Sequence, residues 1–200
     1  MTKPRLLLFD LGNVLVRLDL DRFSKSLGLD TRDARNHYGS GVRELTDQYE
    51  IGKCSTKEFF SSLRSFLGNR FDVNVLEEAF KSVLTEPMPG MENLVRRATV
   101  QLPAALVSNT NEYHFSSVLS RIPALNYLPK RYLSYQLSAL KPYPEFYQYI
   151  IRNENVKPNE MLFIDDVVEN VEAAERAGMA GYQFHDAAGL EKELINRAVL

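Results

Sequence analysis

The fold of this chain is decided by the stretch Arg5-Leu6-Leu7-Leu8-Phe9-Asp10-Leu11-Gly12-Asn13-Val14. Its apolar run predicts a buried strand that ends on an acidic residue, Asp10, and is followed at once by a turn. This order of residues places one carboxylate at the carboxyl-terminal edge of a sheet. In open α/β sheets, ligands bind at that edge.

Three further polar clusters lie at or near the end of a later apolar run, or just before a predicted helix. They are Ser108-Asn109-Thr110-Asn111, Lys141-Pro142, and Asp165-Asp166 with Asn170. Two adjacent acids directly after a buried strand are costly unless a cation balances them. A carboxylate, a hydroxyl and amide pair, a lysine and a second acidic pair together indicate a site for phosphate and a metal ion.

Each cluster also has an ordinary structural interpretation. An aspartate that ends a strand, such as Asp10, is common in turns and helix caps, and the cluster after residue 107 suits an N-cap for the next helix. Lys141 before a proline is typical of a solvated loop. Asp165 and Asp166 suit the first turn of a helix. The joint occurrence of all four, in this order, favours a functional site.

The composition favours a cytoplasmic protein with a small-molecule substrate. The 200 residues, 44% of them hydrophobic, are enough to bury a substantial core in one domain with a sizeable insertion. The single cysteine, Cys54, excludes an intrachain disulfide and suits a reducing cytoplasm. A net charge of -2 offers no bulk attraction to nucleic acid or to a membrane surface. The apolar run near the N-terminus is too short for a signal peptide or a membrane span.

From about residue 21 to residue 84 the sequence predicts a small helical bundle inserted after the first strand. Ser55 and Glu58 form a capping box before an apolar run. Asn74 and Glu77 repeat this spacing before a second apolar face. We expect such an insertion to overhang the edge of the sheet.

The rest of the chain alternates predicted strands and helices, which is typical of a mostly parallel sheet with helices on both faces. The predicted strands are 104–107, 131–134, 161–164 and 181–184, and the predicted helices are 91–98, 112–119, 144–153, 169–177 and one from about 190. The expected fold class is therefore α/β, with a Rossmann-like parallel sheet and a small helical cap. We assign residues 1–17 and 87–200 to the α/β domain and residues 18–86 to the cap.

The four motifs resemble, in order and over nearly the whole chain, those of the haloacid dehalogenase-like hydrolase superfamily. The resemblance is carried by Phe9-Asp10-Leu11-Gly12-Asn13-Val14, Leu106-Val107-Ser108-Asn109-Thr110-Asn111, Tyr132-Leu133-Ser134 with Lys141-Pro142, and Asp165-Asp166 with Asn170. The chain looks most like the bacterial sugar phosphatases that act on glucose 1-phosphate. The N-terminal domain of soluble epoxide hydrolases is a more distant relative. The resemblance implies a magnesium-dependent phosphatase that acts on small phosphate esters.

The resemblance also implies roles for the residues that handle phosphate. Asp10 would attack phosphorus and form an aspartyl-phosphate, which splits one difficult displacement into two easier steps. Ser108 and the backbone N–H of Asn109 would hold phosphate oxygens. Lys141 would bind the same oxygens and neutralise the charge that spreads over them in the transition state.

A magnesium ion follows from the same resemblance. Its ligands would be Asp10, the backbone carbonyl of Gly12 and Asp166, with water and a phosphate oxygen completing the octahedron that Mg²⁺ prefers. Asp165 and Asn170 would lie behind these ligands and orient waters and partner groups.

Gly12 departs from the pattern of most phosphatases in the superfamily, which carry a second aspartate here to protonate the leaving oxygen. General acid catalysis contributes ~10²- to 10⁴-fold. Its absence therefore favours a substrate with a good leaving group, such as the anomeric hydroxyl of glucose 1-phosphate. Water or a group from the insertion would have to transfer the proton. Separately, Arg43, Tyr49 and Glu50 lie in the insertion near a predicted helix break, and we expect them to reach the substrate.

Gly12 leaves two other functions open. A haloacid dehalogenase also lacks that aspartate, but it lacks the paired acids seen at Asp165 and Asp166 as well. A regulatory module that binds a phosphorylated ligand with little turnover would have no need of a nucleophile at Asp10. The three histidines share no spacing typical of metal ligands: His37, His114 and His185.

Overall fold

The computed structural model describes residues 3–118 and 120–200. Five strands form one parallel sheet in the order β5-β4-β1-β6-β7. These strands are β1 (Leu6–Phe9), β4 (Ala104–Ser108), β5 (Lys130–Leu133), β6 (Met161–Asp165) and β7 (Ala180–Gln183). The central β1 pairs Leu7 with Ala104 on one side and with Leu162 on the other. The predicted α/β fold is confirmed.

Helices cover both faces of the sheet, which explains why its strands are apolar at consecutive positions. Because side chains alternate along a strand, Leu7 and Phe9 pack on one face and Leu6 and Leu8 on the other. The first face is covered by α5 (Met91–Gln101) and α10 (Ala187–Asn196), and the second by α8 (Pro144–Asn153) and α9 (Val168–Arg176). Two short helices, α6 (Glu112–Val118) and α7 (Ser134–Leu137), follow β4 and β5.

The element bounds differ from the predicted ones in small ways. The strand predicted at 131–134 begins and ends one residue earlier in the structure, at Lys130–Leu133, because Ser134 begins α7. Residue 119, the predicted end of one helix, lies outside the described residues. Two short 3₁₀ helices, Pro123–Tyr127 and Pro158–Glu160, complete the fold of this region.

Four inserted helices separate β1 from the rest of the sheet: α1 (Asp21–Ser26), α2 (Arg32–Glu50), α3 (Thr56–Phe66) and α4 (Val73–Lys81). They pack around an aromatic cluster of their own. The largest buried members of this cluster are Tyr49, Phe59, Phe60 and Phe80. None of the helices in the described ranges is long and apolar enough to cross a membrane.

One of the two predicted capping boxes is present. Ser55 accepts from the Glu58 N–H, and the Glu58 side chain accepts from the Ser55 N–H. The predicted box at Asn74 and Glu77 is wrong, because α4 begins at Val73 with Asp72 as its N-cap. Asn74 is therefore already inside the first turn and cannot serve as the cap.

A two-stranded antiparallel sheet, absent from the sequence prediction, lies where the chain enters and leaves the inserted helices. It pairs β2 (Val16–Leu18) with β3 (Leu84–Pro87). Met88 N–H donates to the Leu15 carbonyl over 2.9 Å at one end. The strands have three and four residues, too few for an alternating pattern to be recognised in sequence. Both predicted domain boundaries fall within this small sheet.

Candidate active site

A buried lysine joins two carboxylates at the carboxyl edge of the sheet. Lys141 Nζ lies 2.6 Å from Asp10 Oδ1 and 2.6 Å from Asp165 Oδ2. Asp10 follows β1 and Asp165 ends the neighbouring β6. The side chains of Lys141, Asp10 and Asp165 are 2%, 9% and 0% exposed. The structure therefore brings together three residues that the sequence places in the site.

Asn109, which follows β4, holds the backbone of Lys141. Asn109 Nδ2 donates to the Lys141 carbonyl, and Lys141 N–H donates to Asn109 Oδ1, each over 2.9 Å. The peptide bond between Lys141 and Pro142 is cis. Because the Asn109 side chain is used in this way, its backbone N–H is the group left for a phosphate oxygen.

Ser108 is the last residue of β4 and is buried. Its hydroxyl donates to the Asn109 carbonyl over 3.2 Å, a long contact that a ligand oxygen can replace. The loop that follows is fixed by Ser134. Thr110 N–H donates to Ser134 Oγ, and that hydroxyl donates to the Thr110 carbonyl, both over 2.9 Å.

Asp165 is held from behind by the first turn of α9. Its Oδ1 accepts from the Val167 N–H over 2.9 Å and from Asn170 Nδ2 over 3.0 Å, while its Oδ2 accepts from Lys141. Asn170 is itself fixed, because its backbone carbonyl accepts a hydrogen bond from the Tyr147 hydroxyl over 2.9 Å. Both Asp165 oxygens are thus occupied within the protein.

Asp166 is oriented by Asn13, a contact that sequence analysis did not predict. Asn13 Nδ2 donates to Asp166 Oδ2 over 3.0 Å, and Asn13 Oδ1 accepts from the Leu18 N–H over 3.0 Å. Asn13 has a φ of 52°, a left-handed conformation in which asparagine is enriched. The Gly-Asn pair after the first strand is the sequence signal for this turn.

The donor set fits a magnesium ion. Carboxylate oxygens of Asp10, Asp165 and Asp166 lie within 4.8 Å of one another. Since both Asp165 oxygens are occupied, Asp10 and Asp166 have the remaining capacity to bind a cation. The three carboxylates outnumber the one ammonium group, so the cluster carries uncompensated negative charge. Oxygen donors with this charge are those that Mg²⁺ prefers.

The electrostatics of the cluster favour the binding of a cation. Burial raises the pKa of Asp10 above its usual range, although the charge of Lys141 opposes this. Burial would lower the pKa of Lys141, but the charges of Asp10 and Asp165 outweigh it and raise the pKa. Lys141 is therefore a permanent cation. Burial also raises the pKa of half-buried Asp166, and a dication would favour the charged form of both acids.

A cavity of about 550 Å³ adjoins these residues and extends to the inserted helices. The sheet edge contributes Asp10, Gly12, Ser108, Asn109, Lys141, Asp166 and Asn170 to its wall. Apolar side chains from the insertion and its crossings form another part: Leu18, Leu20, Phe23, Val42, Phe80, Val83 and Leu84. Polar groups of α2 complete it: Arg43, Thr46, Asp47 and Glu50. The volume is that of a site for a small organic ligand.

Two of the three predicted insertion residues, Arg43 and Glu50, line this cavity. The prediction for Tyr49 is wrong, because its side chain points into the aromatic cluster and is 2% exposed. Its ring stacks on Phe59 at 4.5 Å between centroids. Its hydroxyl bonds to Thr56 over 2.7 Å and accepts from the Tyr113 N–H over 3.1 Å.

Leu18 occupies the space next to Gly12, where a side chain would otherwise project. A Cβ added to Gly12 would lie 2.6 Å from Leu18 Cδ1 and 3.8 Å from Asp10 Oδ2. The first distance is a steric clash, and the second is an ordinary van der Waals contact with the Asp10 carboxylate. Position 12 therefore lies beside the Asp10 carboxylate, and the apolar side chain of Leu18 fills the space that a side chain at position 12 would occupy.

His114 lines the cavity but is used in packing. Its Nε2 bonds to the Phe80 carbonyl over 2.8 Å, and its ring stacks on Phe80 at 4.0 Å. Burial lowers the pKa of His114 to about 4, so the ring is neutral near pH 7. His37 and His185 lie outside the wall of this cavity.

The chain is similar to known proteins over most of its length. The family model described as haloacid dehalogenase-like hydrolase matches residues 4–178. D-ribitol-5-phosphate phosphatase of Bacteroides thetaiotaomicron is 30% identical, over 94% of this chain and 95% of that protein. A phosphatase of Mycobacterium tuberculosis is 29% identical, over 87% of this chain and 84% of that protein.

A solved structure is similar over nearly the whole chain. It is a haloacid dehalogenase-family enzyme of Bacteroides thetaiotaomicron in complex with magnesium and inorganic phosphate. The TM-score is 0.77 at 26% identity, with 92% of this chain and 96% of that chain covered. An L-2-haloacid dehalogenase of Xanthobacter autotrophicus is 16% identical with a TM-score of 0.60, which is a likeness of fold alone.

Proposed function

The chain belongs to the haloacid dehalogenase-like hydrolase family as a magnesium-binding phosphatase, and we propose that it hydrolyses small sugar or polyol phosphates through a phosphoryl group carried by Asp10. The observation that carries this proposal is the buried bridge from Lys141 to Asp10 and Asp165 at the end of the cavity. A buried lysine between two acids keeps its charge and holds both carboxylates in place.

In the first step Asp10 attacks phosphorus, a P–O bond to Asp10 forms, and the P–O bond to the leaving alcohol breaks. In the second step water attacks the same phosphorus, inorganic phosphate leaves, and the Asp10 carboxylate is restored. The leaving oxygen gains one proton in the first step and water loses one in the second. Hydrogen bonds that hold Asp10 before the reaction reduce the cost of orienting it.

The polar groups around Asp10 bind the phosphoryl group. Lys141 Nζ and Ser108 Oγ donate to phosphate oxygens, together with the backbone N–H of Asn109. Because Lys141 is already charged and fixed by Asn109, it need not reorganise as negative charge develops.

Asp10, the Gly12 carbonyl and Asp166 would hold the magnesium ion. When bound, the ion supplies positive charge that offsets the mutual repulsion of the phosphate and the carboxylates. Asp165 and Asn170 are positioning residues, since Asp165 holds Lys141 and Asn170 holds Asp165. Asn13 positions Asp166 in the same way.

The cavity supports a small phosphorylated metabolite as substrate. Its polar wall on α2 suits sugar or polyol hydroxyls, and its apolar wall suits the carbon skeleton. Glucose 1-phosphate, expected from the sequence resemblance, and D-ribitol 5-phosphate, after which a similar protein is named, are the substrates to test first. We place the enzyme in the cytoplasm, where such metabolites occur.

We also propose that residues 18–86 form a cap over an α/β domain of residues 1–17 and 87–200. Leu20, Phe23 and Glu50 of this segment line the same cavity as the residues of the sheet edge. A cap in that position excludes water from the reacting phosphate and selects the alcohol.

The experiment is phosphate release from glucose 1-phosphate, glucose 6-phosphate, D-ribitol 5-phosphate and p-nitrophenyl phosphate, with magnesium and with a chelator. We expect magnesium-dependent release from p-nitrophenyl phosphate and from at least one sugar or polyol ester. Release from p-nitrophenyl phosphate alone would contradict the proposed substrate class, and release that persists in the chelator would contradict the metal's role.

A further inference from the structure

The proposed reaction needs a proton donor that the sheet edge does not provide. The leaving alcohol must be protonated, and Gly12 has no side chain to do this. Leu18 fills the adjoining space, with its Cδ1 2.6 Å from where a Cβ at residue 12 would be. Lys141 is held between two carboxylates, where it cannot release a proton readily. Water or a side chain from another wall of the cavity is therefore needed as the donor.

We propose that Glu50, the last residue of α2, is the general acid for the leaving alcohol and the general base for the attacking water. This inference rests on the proposed function. It assigns to an inserted helix the proton transfer that the sheet edge lacks.

The placement of Glu50 is the first support. It lines the same cavity as Asp10, Gly12 and Lys141, although it belongs to an inserted helix and not to the sheet edge. Within the described part of the chain its carboxylate makes neither a hydrogen bond nor an ion pair. A carboxylate without a partner in a cavity is available to a ligand, whereas one held by the protein is not.

The other polar groups in the cavity are already in use. Asp47, one turn earlier on α2, accepts from Arg43 Nε over 2.8 Å. His114 is bonded to the Phe80 carbonyl, and Asp166 is bonded to Asn13. Among the titratable side chains that the described residues contribute to this cavity, Glu50 is the one that makes neither a hydrogen bond nor an ion pair.

The surroundings of Glu50 keep its proton available near neutral pH. Burial raises the pKa of Glu50 to about 7, and the charge of Asp47 contributes in the same direction. Arg43 and Lys141 oppose this shift. The C-terminal end of α2 also disfavours a negative charge, because the helix carbonyls point toward it. A carboxyl group with a pKa near the working pH can both donate and accept a proton.

The proton count closes over one turnover. Protonated Glu50 gives its proton to the leaving oxygen as the P–O bond breaks, and becomes a carboxylate. That carboxylate then takes a proton from the water that attacks phosphorus. Glu50 is protonated again when inorganic phosphate leaves, so no further acid or base is required.

The test is the dependence of the Glu50→Gln variant on the leaving group. Its kcat/KM is compared with that of the wild type on p-nitrophenyl phosphate and on the alkyl phosphate that the wild type hydrolyses fastest. The value of kcat/KM reports the steps up to loss of the first product. Nitrophenolate is a stable anion and can leave without being protonated. An alkoxide is a strong base, so an alkyl leaving group must be protonated as the P–O bond breaks. We expect a fall of ~10²- to 10⁴-fold on the alkyl phosphate and less than about tenfold on p-nitrophenyl phosphate.

The matched control is Glu44→Gln, an exposed glutamate on the same helix, which we expect to leave both values unchanged. An equal fall on both substrates would overturn the proposal, since it would show a role for Glu50 in binding or structure. No fall on the alkyl phosphate would overturn it as well. If the wild type hydrolyses neither ester, or Asp10→Asn keeps wild-type activity, the proposed function itself fails, which separates that result from a failure of Glu50 alone.

Discussion

The carboxyl edge of the sheet and the inserted helices opposite it organise their polar groups differently. At the edge, Asp10, Asp165 and Lys141 are buried and bound to one another, and further hydrogen bonds hold them from behind. On α2, Glu50 faces the cavity without such support. In the proposed function, the edge is arranged in advance for a single group, the phosphoryl group. The inserted helices would then contact the part of the substrate that varies.

This difference agrees with the reaction. A phosphoryl group is the same in every phosphate ester, so fixed dipoles and charges serve it best. The leaving alcohol differs from substrate to substrate, and a separate wall that contacts it can change without disturbing the phosphate site. The two regions can therefore be tested independently.

The largest effect is expected when the sheet edge loses its nucleophile. Asp10→Asn removes the carboxylate that attacks phosphorus, and turnover of every ester should fall by at least about 10⁴-fold. Lys141 keeps its bond to Asp165, so the far-UV circular dichroism spectrum should be unchanged. Steady-state phosphate release from the panel measures the loss. Activity within tenfold of the wild type would show that Asp10 is not the nucleophile.

A packing change in the inserted helices tests that region by itself. Phe59 is 1% exposed and contacts Tyr49, Phe60 and Phe80, so Phe59→Ala should lower the free energy of unfolding by about 3–5 kcal/mol. Urea unfolding measures this change. The exposed Phe66 on the same helix is the control, and Phe66→Ala should cost clearly less. Equal costs would mean that the aromatic cluster does not stabilise the insertion.

The contact between the two regions has a pH dependence of its own. His114 lies on α6 and bonds to the Phe80 carbonyl on α4. Burial lowers the pKa of His114 in the folded protein to about 4, from an ordinary value of 6.5. Below pH 6.5 His114 therefore binds a proton in the unfolded chain but not in the folded protein. The free energy of unfolding decreases as the pH is lowered.

This loss should reach about 3 kcal/mol between pH 6.5 and pH 4. The free energy of unfolding is measured against pH for the wild type and for His114→Gln, and the two slopes are compared. The difference isolates His114, because the carboxylates contribute equally to both slopes. Replacing the exposed His37 by Gln should leave the slope unchanged. Identical slopes for wild type and His114→Gln would contradict this account.

The smallest expected effect is on the affinity for magnesium. Asn13→Gly keeps the left-handed backbone at φ 52° but removes the hydrogen bond to Asp166. We expect the magnesium concentration for half-maximal activity to rise by about 10- to 100-fold. Asn69→Gly, at a φ of 56° in an exposed turn, is the matched control. An unchanged requirement would show that Asn13 does not position the metal ligand.

Sequence reasoning was most successful at the sheet edge. Strand ends are marked by a change from apolar to polar residues, and parallel strands bring their carboxyl ends to one edge. The meeting of Asp10, Lys141 and Asp165 could therefore be predicted from separate motifs. The cap at Ser55 was found because a capping box is a local signal.

Contacts between regions were harder to predict. The pairing of β2 with β3 joins short segments about seventy residues apart. Leu18, which lies in β2, fills the space beside Gly12. The predicted box at Asn74 was wrong because Asp72 two residues earlier begins the helix. Tyr49 and Glu50 are adjacent in sequence, yet one side chain enters the aromatic cluster and the other faces the cavity. Which of the two side chains faces the cavity depends on how α2 is rotated about its own axis, and tertiary packing sets that rotation.

The most direct test is to trap the phosphorylated enzyme. Wild-type protein is mixed with p-nitrophenyl phosphate and magnesium, quenched in acid within the first turnover, digested and analysed by mass spectrometry. We predict a phosphoryl group on the peptide that contains Asp10 and none in the Asp10→Asn variant. A phosphoryl group on a different peptide, or product formation in the first turnover with no phosphorylated peptide, would contradict the assignment of Asp10 as the nucleophile.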